Sequence, residues 1–135
     1  MKKLFNVCMA AVSALILASC CGQPEVSGKW NILKVNGEDI VVVGDKTPFM
    51  EFNTEDSRVH GFTGCNIMNG AYTYTDKEFT FGNMATTMMA GPEENMKAER
   101  NVLDAMGKVV KVKADGEDRL LLLDEEKNVV MELGK

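Results

Sequence analysis

The side chains of this chain that could do chemistry are cysteine, histidine and methionine. The one with the clearest assignment is Cys20, which closes the stretch Leu17-Ala18-Ser19-Cys20. Lys2 and Lys3 give a basic start, and Leu4 to Ser19 is a 16-residue run without charge. A basic start, an apolar run and two small residues before a cysteine form a secretory signal ending in a lipobox. There the thiol of Cys20 is acylated and Cys20 becomes the new N-terminus. A spanning helix fits less well, because it needs about 20 apolar residues and the first charge after Lys3 is Glu25. A plain soluble secreted protein is the other alternative, against which the small-small-Cys ending is a fairly specific signal. Acyl chains contribute about 0.8 kcal/mol per buried methylene, so more than one on Cys20 would hold the chain on a bilayer. Residue 21 is Cys, not Asp, so nothing argues for inner-membrane retention. The expected location is the cell envelope, lipid-anchored at the outer membrane.

The other reactive groups carry weaker signals. His60 and Cys65 lie five apart, a spacing open to a thiol nucleophile with a base, yet no motif positions an orienting acid. The plainer reading is a turn cysteine packed on a sheet and a surface histidine. His60 is the only histidine, which precludes a two-histidine metal motif, and neither a G-x-S-x-G elbow nor a phosphate-binding glycine loop is present. Met84, Met88, Met89, Met96 and Met106 invite a Cu(I) reading. Without a Met-x-x-Met ladder or a histidine partner, they read better as gap-filling core residues. The acids at 115–118 and 124–126 follow no calcium-loop pattern and read as solvated turns. No catalytic residue, metal ligand or cofactor is therefore expected, and the chain reads as a non-enzyme.

Charge narrows the partners. Loss of Lys2 and Lys3 with residues 1–19 leaves 13 basic residues against 20 acids, a net charge of −7 on 116 residues. Such a domain repels nucleic acid and anionic lipid. The membrane partner is thus expected through lipidated Cys20 alone, with an envelope protein or small ligand as the other partner of a monomeric domain. Of the four cysteines, Cys8 leaves with the signal, so Cys21 and Cys65 remain. An oxidising compartment allows them to pair, although Cys21 sits on a short tether.

These groups must be held by a single domain of ordinary size. Residues 1–19 read as signal, 20–27 as lipidated N-terminus and polar tether, and 28–135 as the domain. Trp30 opens a strand over 30–35 and is expected to anchor the core. Asn36-Gly37 is a strong hairpin signal because both turn positions need positive φ, and 39–43 reads as the return strand. Further short strands are expected at 49–52, 59–62, 71–74, 78–81, 110–113, 120–123 and 129–133. Leu120 to Leu123 is apolar on both faces and reads as a central strand. One helix is expected from Pro92 to Met106, with Pro and two acids in its first turn and Gly107 as its stop. Met96, Leu103 and Met106 form its apolar stripe, with Ala98, Val102 and Ala105 beside it and Glu99 and Arg100 as flaws. The fold class is α+β and β-rich, an antiparallel roll or partly closed barrel of short strands with one packed helix.

A family resemblance emerges at Gly61-Phe62-Thr63-Gly64-Cys65-Asn66. It continues through Gly70-Ala71-Tyr72, Phe79-Thr80-Phe81 and Met84-Ala85-Thr86-Thr87-Met88-Met89-Ala90, with Gly28 and Trp30 ahead of it. The ordered set resembles the META domain, the small module of HslJ-type heat-shock-associated lipoproteins and envelope proteins. The resemblance spans about Gly28 to Leu133. It implies a compact β-rich fold with one helix, a link to heat shock and antibiotic resistance, and no established enzyme activity. Many members carry a cysteine directly after the Met-Ala pair, where this chain has Gly91. The motif residues Gly64, Cys65, Asn66, Thr87 and Met89 are expected to serve the fold or a shared binding site. Gly64 would supply positive φ, and Asn66 and Thr87 would hydrogen-bond backbone. The resulting expectation is a lipid-anchored envelope protein that binds, or supports stress tolerance, without catalysis. Its rivals are an inhibitor or accessory domain docking on an envelope enzyme, and a Cys65-dependent thiol enzyme. Binding predicts an exposed apolar patch near the G-C-N loop; catalysis predicts an exposed Cys65 beside His60.

Overall fold

The structure, a computed structural model, describes residues 23–135. The signal, the lipobox and Cys21, with its pairing to Cys65, lie outside the described residues. Among the described residues nine strands form one antiparallel sheet, with one helix. In chain order they are β1 (Gly28–Val35), β2 (Glu38–Asp39), β3 (Phe49–Asn53), β4 (Arg58–Phe62), β5 (Ile67–Tyr74), β6 (Phe79–Thr86), α1 (Glu93–Met106), β7 (Lys111–Ala114), β8 (Arg119–Leu123) and β9 (Val129–Gly134). The sheet order is β6-β5-β4-β3-β1-β9-β8-β7, with β2 paired to β1. The sheet curls without closing into a barrel. Its two ends meet where the Phe79 N–H donates to the Val110 carbonyl at 2.9 Å.

Local chemistry explains most element boundaries. Asn36 and Gly37 take φ of 52° and 81°, the left-handed pair that a two-residue hairpin requires. Asp115-Gly116 turns differently: only Gly116 takes a positive φ, 76°, and the Asp115 N–H donates to the Arg119 carbonyl at 3.0 Å across a longer loop. The return strand after Asn36-Gly37 is only two residues long, shorter than the expected 39–43. The backbone of Val43 is claimed by a side chain of the helix rather than by a neighbouring strand. β8 lies between β9 and β7, with Leu120, Leu122 and Leu123 buried. Strands β5 and β6 run longer than expected, because their pairing continues back from Tyr72–Phe81 to Met68–Thr86 through a bulge.

The core lies inside the curl. Trp30, Ile32, Met50, Phe52, Val59 and Met68 face Leu120, Leu122, Met131 and Leu133, and Val102, Ala105 and Met106 of α1 cover one opening. Phe52, Tyr72 and Phe79 form an aromatic cluster with ring centroids 5.2 to 5.8 Å apart, mostly edge to face as the ring quadrupoles favour. Burial of Tyr72 and Tyr74 pushes both phenols up from their ordinary value, with nearby carboxylates adding to the effect.

Two expectations change here. The packed domain starts before Gly28: Val26 is 1% exposed, its carbonyl accepts the Trp30 indole N–H at 2.9 Å, and the Pro24 carbonyl accepts the Tyr74 hydroxyl at 2.8 Å. Residues 24–27 therefore belong to the domain and not to a tether. Their composition is polar and small, and the Trp30 donor four residues on and the Tyr74 donor fifty residues on give them a place. Val26→Ala is expected to cost about 2 kcal/mol from lost methyl burial and the cavity left behind. Chemical denaturation of the variant checks this, and an unchanged midpoint would return Val26 to the tether.

The second change is in α1. Its inward face is Asn95, Ala98, Val102, Ala105 and Met106, while Met96 is 36% exposed. The stripe is thus rotated from the expected one, because its N-terminal half meets polar partners rather than core. Gly107 ends the helix with right-handed φ (−65°), its N–H donating to the Leu103 carbonyl at 3.2 Å. The stop owes nothing to a left-handed glycine.

Candidate functional site

The β4–β5 turn, residues 63–66, carries the Gly-Cys-Asn motif. The Thr63 N–H donates to the Asn66 carbonyl at 3.0 Å, closing the turn. Gly64 has φ 115°, a region that L side chains rarely adopt. A Cβ there would also sit 2.9 Å from Val42 Cγ1 and 3.3 Å from Ala98 Cβ. Glycine is needed twice over, for conformation and for the close approach of the turn to α1.

Asn66 is the centre of the site, and it is 4% exposed. Its Oδ1 accepts the Thr87 hydroxyl and the Met89 N–H, both at 2.8 Å. Its Nδ2 donates to Glu99 Oε2 at 3.1 Å and to the Met89 carbonyl at 3.2 Å. A backbone N–H on one side and a carboxylate on the other allow only one orientation of this amide. The Asn66 N–H reaches both Thr63 Oγ1 and Glu99 Oε1 at 3.1 Å. The Thr63 hydroxyl has one proton and lies closest to Glu99 Oε1, at 2.6 Å. Thr87 Oγ1 in turn accepts the Ile67 N–H at 3.1 Å. Among the described residues no buried side-chain nitrogen or oxygen lacks a partner.

The turn, the segment after β6 and the helix are thereby tied into one node. Every side-chain hydrogen-bonding position of Asn66 is used, so it has none to offer a ligand. A second clamp sits one helical turn earlier. Asn95 accepts the Val43 N–H at 2.7 Å and donates to the Val43 carbonyl at 2.9 Å, substituting for a strand partner. Glu99 and Asn95 are the functional residues that the sequence reading missed. Their signal was present as polar residues four apart, flanking Ala98 at the start of the buried face that continues through Val102 and Ala105.

Around this node the surface is apolar. Met89 has its N–H and its carbonyl both held by Asn66, yet its side chain is 65% exposed, and that of Met88 is 93% exposed. Ile67, held by Thr87, is also exposed. Met89 and Ile67 line a cleft of about 240 Å³ that includes Phe62, Cys65, Gly91 and Lys46, and Met88 is exposed next to Met89 in the chain. The gap-filling reading of the methionines thus holds for Met106 and Met84, which pack on the core, and fails for Met88, Met89 and Met96. A buried network fixes a backbone whose side chains point into water.

Cys65 is half-buried, and its thiol donates to the Met89 carbonyl at 3.4 Å. His60 lies elsewhere. It borders a separate, polar cleft of about 480 Å³ with Glu51, Arg58 and Asn69. Its Nε2 is 3.6 Å from Glu51 Oε1. The two line different clefts and share no hydrogen bond. Of the motif residues, the structure brings Gly64, Cys65, Asn66, Thr87 and Met89 together and leaves His60 out. Among the described residues no group of three or more His, Cys, Asp or Glu converges.

The model of the META domain family matches residues 23–135. A protein from Burkholderia xenovorans, solved by NMR, is similar over 81% of this chain and 82% of its own, with TM-score 0.62 and 18% identity. A crystal structure of a DUF4847 family protein from Bacteroides vulgatus covers 81% of this chain and 92% of its own, with TM-score 0.58 and 14% identity. At these identities the likeness is one of fold. No functionally curated protein matches the chain.

Proposed function

The chain belongs to the META domain family, and from that premise we propose that it is a lipid-anchored envelope protein that acts by binding, without catalysis. The observation that carries the binding reading is the exposed apolar rim of Met89 and Ile67 on the Cys65 cleft. Exposed apolar clusters on soluble domains mark interaction sites, and methionine adapts its shape to partners. The motif's polar groups support this reading by being used up in holding the rim. The thiol of Cys65, engaged with a backbone carbonyl and remote from His60 in its hydrogen bonding, supports a structural cysteine over a nucleophile. The same rim would serve an inhibitor or accessory domain docking on an envelope enzyme, or a role in envelope stress tolerance.

The anchor rests on Leu17-Ala18-Ser19-Cys20 and its basic, apolar lead. Placement at the outer membrane rests on Cys rather than Asp at position 21. Cys20→Ala is expected to abolish metabolic labelling by a fatty acid and to leave the precursor uncleaved. A variant that is still acylated and membrane-bound would refute the lipobox.

A further inference from the structure

The outer face of the sheet carries an apolar row in which Phe49 and Phe62 are half-buried and Ile67 is exposed. Strand register sets Asn31 beside Phe49, Phe49 beside Phe62 and Phe62 beside Ile67. Their chain neighbours Trp30, Met50 and Met68 are buried, so the four share the solvent side. The adjacent row, Lys29, Glu51, His60 and Asn69, is polar. At Ile67 the apolar row runs into the Cys65 cleft. Two open hollows, of about 240 and 380 Å³, share Lys46, Phe62 and Ile67.

Charge and anchor position identify what this face takes. The only charged residues lining the two hollows are Lys46 and Lys29, on a mature chain of net charge −7. The Lys29 ammonium lies 4.3 Å from the centre of the Phe49 ring and that of Lys46 lies 5.9 Å from the centre of Phe62. Each cation is thus presented above an aromatic face. Gln23 and Pro24, by contrast, border a hollow with Tyr74 and the β5–β6 turn. Ile67 and Tyr74 are the two ends of β5, about 23 Å apart at the rise of a strand. Cys20 can lie no more than about 14 Å from Pro24 in any conformation. An acylated Cys20 therefore tethers the chain near the Tyr74 end of β5, the end away from the Cys65 cleft. The hollows lie open along the sheet, as suits an extended chain rather than an enclosed small molecule.

We infer that this face binds an extended acidic-apolar segment of a partner protein. Carboxylates meet Lys29 and Lys46, and apolar side chains lie on Phe49, Phe62, Ile67 and Met89. The inference rests on the binding reading above and names the partner's chemistry.

The test uses isotope-labelled mature chain, residues 20–135 with Cys20→Ser. The probes are a panel of capped hexapeptides alternating Glu or Asp with Leu, Val or Phe, the same panel with Lys at the acidic positions, and phosphatidylglycerol vesicles. Amide shifts from the acidic panel are expected at the Ile67 end of β5 and around Met89, with none from the basic panel. Lys46→Glu, at an exposed position, is expected to weaken binding about tenfold, and Ile67→Ser to weaken it without changing the charge preference. Equal binding of the basic panel, or no loss in Lys46→Glu, overturns the acidic partner. Tighter binding of vesicles at this face makes a bilayer the occupant and likewise overturns it. No response at this face to any probe overturns the binding reading itself, and leaves the lipid anchor to its own test.

Discussion

Asn66→Ala is expected to destabilise the domain by about 3–4 kcal/mol, the largest single-residue loss in the site. The substitution removes four side-chain hydrogen bonds at once. It strands the Met89 N–H and carbonyl, the Thr87 hydroxyl and one oxygen of Glu99. An unsatisfied buried polar group costs about 1–3 kcal/mol, and water entering the truncated site recovers part of the total. Asn66→Asp separates a network effect from simple loss of volume. It keeps the acceptor for Thr87 and Met89 but sets a second carboxylate against Glu99, where the native amide donates at 3.1 Å. At neutral pH this variant should be at least as unstable as the alanine one. As pH falls, protonation of one of the two carboxylates restores a donor between them. The repulsion is relieved, so the variant should gain stability relative to native at low pH, while the alanine variant should not. Urea unfolding at neutral and acidic pH measures both. Equal stability of native and Asn66→Ala, or an Asn66→Asp deficit that does not depend on pH, would show that the node is not what holds the segment after β6.

Gly91→Cys is expected to cross-link to Cys65 and to raise stability by about 3–4 kcal/mol under oxidising conditions. A Cβ built at Gly91 lies 3.1 Å from the Cys65 sulfur. In a disulfide that separation is about 3 Å, given the S–S bond length and the angle at sulfur. The bridge would close the loop from 65 to 91, which spans β5 and β6, and chain-entropy scaling for a loop of that length gives the magnitude. Gly91 has no positive φ, so a side chain there carries no backbone strain. The resemblance that led to this position noted a cysteine there in many members, and the structure shows why a pair at 65 and 91 would fit. The measurement is the unfolding midpoint with and without reductant, in the mature chain with Cys20→Ser and Cys21→Ser. Two free thiols after air oxidation, or a midpoint indifferent to reductant, would count against the geometry. The bridge would pin the cleft rim, so it also offers a way to ask whether partner binding needs that rim to move.

What this sequence determined by itself is local. Asn36-Gly37 turns because few other residue pairs accept two left-handed dihedrals, and alternation assigned most strands to their places. Pro92 and its two acids began the helix where the helix begins. The ordered motifs located the family before any tertiary contact was known. The proposed signal and its Cys20 would be equally local, since such a signal is read as a linear segment.

Tertiary structure decided the rest, because it depends on partners distant along the chain. Glu99 looked like a flaw in a helical stripe until Thr63 and Asn66, more than thirty positions earlier, came within hydrogen-bond reach. Asn95 shortened a hairpin strand fifty-two positions away by taking the backbone of Val43. Val26 looked like tether because only Trp30 and the core give it a place, and Met88 looked like core because composition cannot say that a buried asparagine will turn the neighbouring residue outward. Periodicity reports which face of an element is apolar. It does not report where a polar face finds a buried partner, and in this protein those partners decide which apolar side chains are left in water.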